Sequence, residues 1–354
     1  MAGRLRSPAA ISVRGQIYSK FVPMRIRQAV AAGLLALTPA LTGCLSLSGL
    51  FTHTRSVLKT RPPDIVRGTS LDELLKQVND RYSAIQSMTA SVQVVACTGG
   101  ASKGDITYGS KGEITCYPPF GGHIVIGKPE NLLFLLEAPV LGSRELDMVS
   151  DGKSFKMLLP HYNCAIVGSD VVTNNPQTGL FALRPAVILD SLLIRGLQAD
   201  QDVAMTQDSR IVPDPKNHKV FIDEPTYNLE FLSKPEGQVA QSLRVIDISR
   251  TDLLPFQQDI YNTDGKVATL ATYKNYQKFG DIKFPTLIEI QRPLDELTLT
   301  ITVVPRGTSF NQKLEADQFT LDIPTTTAHI TNMDDPASAS VKDPCAVHAP
   351  PSTH

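Results

Sequence analysis

Residues 297–304 read Leu-Thr-Leu-Thr-Ile-Thr-Val-Val. In an extended strand Leu297, Leu299, Ile301 and Val303 share one face, and Thr298, Thr300 and Thr302 share the other. A helix would scatter the same residues around its axis. The segment therefore belongs to a sheet with one face covered and one face wet, which is the habit of antiparallel sheets. Asp151-Gly152 and Asp264-Gly265 each stand between apolar extended runs and read as hairpin turns. Further strands are expected at 91–96, 122–127, 131–137, 146–149, 154–159, 227–233, 242–250, 257–261, 266–276 and 286–291. A sheet of that size must curl or close.

Two segments follow a helical period instead. Ser70-Leu71-Asp72-Glu73 is a capping box. After it, Leu71, Leu74, Leu75, Val78, Tyr82 and Ile85 line one helical face. The second helix starts at Arg184-Pro185, with proline at the first helical position, and is expected to end at Gly196. Val187, Ile188, Leu189, Leu192 and Leu193 are its apolar residues. The expected fold is mainly β (α+β): a curved antiparallel half-barrel of about ten or eleven strands, with the helices plugging its concave face.

The beginning of the chain carries an export signal. Met24-Arg25-Ile26-Arg27 supplies two positive charges, an uncharged apolar run follows from Ala29 to Leu41, and Leu41-Thr42-Gly43-Cys44 closes it. Residues 1–23 precede this signal as a misassigned start or a longer charged region, so the reading begins at Met24. The apolar run is too short, and too punctuated by Pro39 and Gly43, to span a membrane as a helix. Residues 1–43 are expected to be removed, Cys44 to be lipidated, and 44–68 to form a tether. A body over 69–324 follows, then a Pro-, Ala-, Ser- and Thr-rich tail over 325–354 that is expected to be disordered unless Cys345 pins it.

Composition excludes several functional classes. Net charge is −1, which gives no electrostatic basis for binding nucleic acid. The seven histidines are scattered, and no HExxH, GxSxG, GxGxxG or CxxC is present. Asp105 stands where a P-loop would need its lysine. No enzymatic activity, metal or cofactor is therefore expected. Four cysteines remain after Cys44, which allow three disulfide pairings in an oxidising compartment. Cys97 and Cys116 fall in one strand-loop-strand unit, which favours that pair without deciding it.

Several short motifs together resemble a known group. Lys128-Pro129-Glu130-Asn131-Leu132, Ala138-Pro139-Val140-Leu141-Gly142-Ser143, Asp151-Gly152-Lys153-Ser154-Phe155 and Leu159-Pro160 are similar to the core of the LolA/LolB lipoprotein-carrier superfamily. The run from Tyr276 to Phe284-Pro285 and the later Phe319-Thr320-Leu321 fit the same pattern, so the resemblance spans roughly 69–324. With a lipobox, the chain looks more like the membrane-anchored receptor of that group than its soluble carrier. The 98–117 and 199–223 segments depart from the pattern. The resemblance implies an apolar cavity for acyl chains of lipoproteins or lipids, a lipid anchor in the membrane, and a periplasmic carrier protein as partner. It also implies that Leu141 is exposed on the Pro139–Ser143 turn as a membrane-directed tip; the competing reading packs Val140 and Leu141 in the core. Leu45 after the anchor, in place of Asp, favours the periplasmic side of the outer membrane.

Candidate cavity residues follow from strand parity and helix faces. They are Val92, Val94, Ile124, Ile126, Leu132, Phe134 and Leu136 on strands, and Leu74, Leu75, Val78, Val187, Leu189 and Leu192 on helices. Leu133 and Leu135 make the opposite strand face apolar too, so parity leaves the choice of face open. The alternative function is a structural or sensory envelope lipoprotein that uses the fold for protein–protein interaction. A continuous apolar cavity under the helices would favour carriage of lipid; a solid core with an exposed apolar patch elsewhere would favour the interaction module.

Overall fold

The computed structural model describes residues 59–99, 114–140, 142–170, 183–233, 239–335 and 345. The chain divides into two units, Met1–Ser56 and Val57–His354, and the described residues belong to the second. The signal, Cys44 and Leu141 lie outside the described residues.

The body is one large, open, curved sheet. Its strands are β1 (Thr60–Arg61), β2 (Ser87–Gly99), β3 (Ile114–Cys116), β4 (Phe120–Gly127), β5 (Asn131–Glu137), β6 (Arg144–Ser150), β7 (Ser154–Leu159) and β8 (Cys164–Ser169). After them come β9 (Gln201–Asp214), β10 (Asn217–Ser233), β11 (Ser242–Ser249), β12 (Pro255–Tyr261), β13 (Val267–Phe279), β14 (Ile282–Arg292), β15 (Leu297–Phe310) and β16 (His329–Asn332). Helix α1 (Leu71–Ala84) precedes β2, and α2 (Pro185–Leu192) lies between β8 and β9. The main path across the sheet runs β1-β10-β11-β12-β13-β14-β15-β2-β4-β5-β6-β7-β8-β16, with β9 paired to β10 and β3 to β2. Strand β2 joins the two halves by pairing antiparallel with both β15 and β4. Only β1 with β10 and β16 with β8 pair in parallel among the described residues.

Sixteen strands replace the expected ten or eleven. The additional ones are β1, β3, β8, β9 and β16. β1, β3 and β16 are short pieces of two to four residues, β8 continues the meander after β7, and β9 is a polar strand that pairs with β10 along its whole length. Three local features accompany them. The end of the segment read as a tether is docked, because Thr60–Arg61 pairs with Phe221 and Ile222, and Arg61 Nε meets Asp214 at 2.8 Å. The tail read as disordered unless Cys345 held it contains β16, and Cys345 is disulfide-bonded to Cys164. Helix α2 stops at Leu192 rather than Gly196. Sheet side chains explain that last change: Gln258 donates to the Asp190 carbonyl at 2.9 Å, and Arg244 donates to the Arg195 and Gly196 carbonyls at 2.7 and 2.6 Å. The carbonyls at a helix C-terminus need such donors, and here the sheet supplies them.

The local signals otherwise act as expected. Ser70 accepts a hydrogen bond from the Glu73 amide at 3.3 Å and caps α1, while Asp72 and Glu73 sit at the positive end of its dipole. Gly152 and Gly265 turn their hairpins with φ of +84° and +72°, a region that glycine enters without strain. Cys97 and Cys116 form a disulfide between β2 and β3, the pair favoured from sequence.

Two apolar clusters join the helices to the sheet. The larger one joins β2, β4–β8, β13–β15 and α2. The smaller one seats Leu74 and Val78 of α1 on Tyr227, Leu229, Phe231, Ile246 and Ile248 of β10 and β11. Ile194, just after α2, packs against both. Burying each large apolar side chain contributes about 1.5–3 kcal/mol, so the helices are held by these faces rather than by their own propensity.

Candidate functional site

A cavity of about 390 Å³ opens where the two clusters meet. Its walls are the second half of α1 (Val78, Arg81, Tyr82, Ile85), the end of α2 with the residues after it (Leu192, Leu193, Ile194), and the inner faces and turn of β13 and β14. Tyr273, Tyr276, Ile282, Phe284 and Pro285 come from that last pair. The cavity exists because α1 and α2 cover neighbouring parts of the sheet without closing on each other there. It sits at the low end of the usual range for small-ligand sites, about 300–1,000 Å³.

Its interior is mainly apolar and its mouth is polar. Val78, Ile85, Leu192, Leu193, Tyr273 and Phe284 are buried, while Asp80, Ala84, Asp281 and Lys283 are exposed at the opening. Tyr276 keeps its hydroxyl satisfied by donating to the Pro255 carbonyl at 2.8 Å. Burial pushes its phenol pKa upward, and also that of Tyr273, so both remain neutral donors. Arg81 donates to the Leu253 carbonyl at 3.1 Å, and desolvation lowers its pKa against the attraction of Tyr276 and Asp252. Such a wall offers dispersion and desolvation to an apolar guest. It assembles no nucleophile with a base.

Three solved structures are similar to this chain at low identity. The structure of a LolA superfamily protein from Nitrosomonas europaea is 12% identical, with 72% of this chain and 99% of that chain covered and a TM-score of 0.41. A putative outer membrane lipoprotein-sorting protein domain from Vibrio parahaemolyticus is 10% identical, with 70% and 94% covered and a TM-score of 0.39. A DUF1329 family protein from Desulfovibrio piger is 14% identical, with 70% and 95% covered and a TM-score of 0.44. No protein-family model and no curated protein matches the chain.

The candidate residues divide between this cavity and the packed core. Val78 and Leu192 line the cavity. Val92, Val94, Ile124, Ile126, Leu132, Phe134 and Leu136 all lie on one buried face, packed in the larger cluster, and none lines the cavity. Val187 and Leu189 belong to the same cluster, and Leu74 is the centre of the contact between α1 and the sheet. Leu75 is partly buried beside it. Leu141 lies outside the described residues, but its neighbour Val140 is 89% exposed, which removes Val140 from the core reading. The turn around them is closed by Ala138 and Gly142 amides donating to the Ser143 and Ala138 carbonyls at 2.8 and 3.1 Å. Sequence reasoning missed Tyr273, Tyr276, Phe284 and Ile194 as cavity residues. Tyr276 and Phe284 fall in the run noted above for its family resemblance, and no local periodicity marks Tyr273 or Ile194 as lining a cavity.

Proposed function

We propose that the chain is an envelope lipoprotein that takes an acyl chain of a lipid or of another lipoprotein into the cavity beside Leu192, and helps to sort or insert that molecule. The apolar cavity walled by both helices is the observation that supports this most directly. Each methylene moved from water into it contributes about 0.8 kcal/mol, so a long chain gains enough to offset the freedom lost on binding. Its volume suits one chain rather than several. The helices plug the concave face, and entry of a chain separates α1 from the end of α2 while the strands stay in place.

Location completes the reading. Cys44 carries the lipid anchor, the segment after it serves as the tether, and the outer membrane is the site of attachment. A periplasmic carrier hands over the cargo. The Pro139–Ser143 turn, with Val140 exposed and Leu141 beside it, touches the bilayer during release.

Mass spectrometry of lipids that copurify with the full chain tests the proposal. One acyl-bearing molecule per chain is expected, and it should be displaced by a fluorescent fatty acid. A chain that carries no lipid and does not bind the fatty acid would refute acyl-chain binding.

A further inference from the structure

A second recess, of about 490 Å³, shares α2 with the acyl cavity. Leu189 and Asp190 line this recess, whereas Leu192 and Leu193 line the other. Its floor contains a residue that apolar packing does not explain. Ile246, Gln258, Ala271 and Ile290 stand in register across β11, β12, β13 and β14. All four are buried, with Gln258 1% exposed, so one glutamine interrupts an otherwise apolar row. Burying an amide costs free energy unless both of its ends are paired. Gln258 Nε2 is paired with the Asp190 carbonyl, but Oε1 has no partner.

The neighbours repeat this pattern. Arg244 is 91% buried and spends both terminal nitrogens on backbone carbonyls, which leaves Nε without a partner. Asp170, 94% buried, accepts from Ser150 through Oδ2 and has Oδ1 free. On the adjoining wall of the acyl cavity, Tyr273 Oη is also unpartnered. Four of the seven partnerless buried side-chain atoms among the described residues thus lie in the two recesses that share α2. They comprise two acceptors and two donors.

The recess is also strongly charged. Glu130, Asp170 and Asp190 face Arg195 and Arg244, and Arg184 acts on Asp170 from beside the recess, so carboxylates and cations balance before any ligand enters. Arg195 divides itself between Asp190 at 2.8 Å and Glu130 at 3.1 Å. Asp190 is 37% exposed, and that surface lies inside the recess, where desolvation outweighs Arg195 and raises its pKa. No carboxylate lies within ion-pair distance of Arg244 among the described residues. The two unspent acceptors suit a primary ammonium, Arg244 Nε suits an anionic oxygen, and a balanced lining suits a ligand with no net charge.

We propose that this recess is the head-group site for a zwitterionic phospholipid of the phosphoethanolamine class, whose acyl chain fills the cavity beside Leu192; this rests on the acyl-chain reading above. Gln258 Oε1 and Asp170 Oδ1 accept from the ammonium, and Arg244 Nε donates to the phosphate. Choline offers no N–H to these acceptors. Phosphoglycerol adds a negative charge without an ammonium.

Calorimetric titration of the full chain with dihexanoyl phosphatidylethanolamine, phosphatidylcholine and phosphatidylglycerol below their micelle concentrations tests this. The ethanolamine lipid should bind at least roughly tenfold more tightly than the other two, as expected when a charged hydrogen bond is gained. Gln258→Leu should bring the affinities for the ethanolamine and choline lipids together, whereas Gln258→Glu should keep them apart. Equal affinity for all three lipids would overturn the head-group site and leave acyl binding standing, with water satisfying the free atoms. No binding of any lipid would overturn both. If Gln258→Leu does not fold, the three-lipid comparison on the unaltered chain and on Gln258→Glu still decides.

Discussion

Gly196, four residues beyond the end of α2, lies so close to Asn79 of α1 that a Cβ on it would fall 1.5 Å from Asn79 Oδ1 and 2.6 Å from its Cγ. The two helical segments therefore meet at a glycine, next to the cavity they wall. Gly196→Ala forces the exposed Asn79 side chain into another rotamer and should destabilise the fold by about 1 kcal/mol, because the colliding atoms are the free end of that side chain and the backbone behind it stays in ordinary contact. Asn79→Ala should make the same glycine change nearly neutral. Chemical denaturation of the double-mutant cycle checks this; additive losses would show that Asn79 is not what Gly196 accommodates.

That contact illustrates what the sequence could and could not reveal. The hairpins at Asp151-Gly152 and Asp264-Gly265, the α1 cap at Ser70 and the alternation from Leu297 to Val303 are local patterns, and each is legible from a few adjacent residues. Strand β8 reads as an apolar fragment because its partners are β7 and the distant β16. Strand β9 has few apolar residues, and its membership comes from pairing along the length of β10. The cavity is harder still. Its walls come from residues 77–85, 192–194, 255 and 273–285, and what creates it is a gap between packed surfaces, which no periodicity records.

The cavity mouth offers a direct way to block binding. Ala84 is exposed at the end of α1 and lines the opening. Ala84→Trp places an indole across it while touching nothing in the core. Stability should change by about 0.5 kcal/mol or less, as for most surface substitutions. Binding of a fluorescent fatty acid should fall at least tenfold, on the order of the loss of one or two kcal/mol of apolar contact. An unchanged dissociation constant for the fatty acid, with the fold intact, would place the acyl site elsewhere.

The two disulfides should differ in their effect on stability. Cys164–Cys345 closes a sequence separation of 181 residues, and Cys97–Cys116 one of 19. In the chain-entropy account, a loop of 15 residues gives about 3 kcal/mol and one of 100 about 4.7 kcal/mol. The double substitution Cys164→Ala/Cys345→Ala should therefore cost about 1–2 kcal/mol more than Cys97→Ala/Cys116→Ala. It should also free β16 for early cleavage in limited proteolysis, even though Arg184 Nη1 still reaches Asp334 at 3.3 Å. Equal losses, or a protease-resistant tail, would show that β16 is held by its pairing with β8 alone.

Asp247 gives the chain a pH dependence whose sign is fixed by its surroundings. It lies on β11 and is pushed from 3.8 to about 6, chiefly by desolvation and then by Asp259 on β12, with Asp208 on β9 adding to the rise. Arg210 on β9 and the Asn228 amide on β10, which donates at 2.8 Å, act in the opposite direction without cancelling it. The folded state therefore holds this proton more tightly than the unfolded chain does. The stability this confers is fully present below 3.8 and is lost as the pH rises through about 6. Asp247→Asn removes the charge while keeping a side chain of the same shape. The variant should be more stable than the unaltered chain near pH 7, and the gap should narrow steadily as the pH is lowered toward about 4. Urea denaturation of both chains across that range measures the gap directly. A difference that stays constant with pH would mean that Asp247 titrates as an ordinary carboxylate, despite the acidic neighbours on β9 and β12.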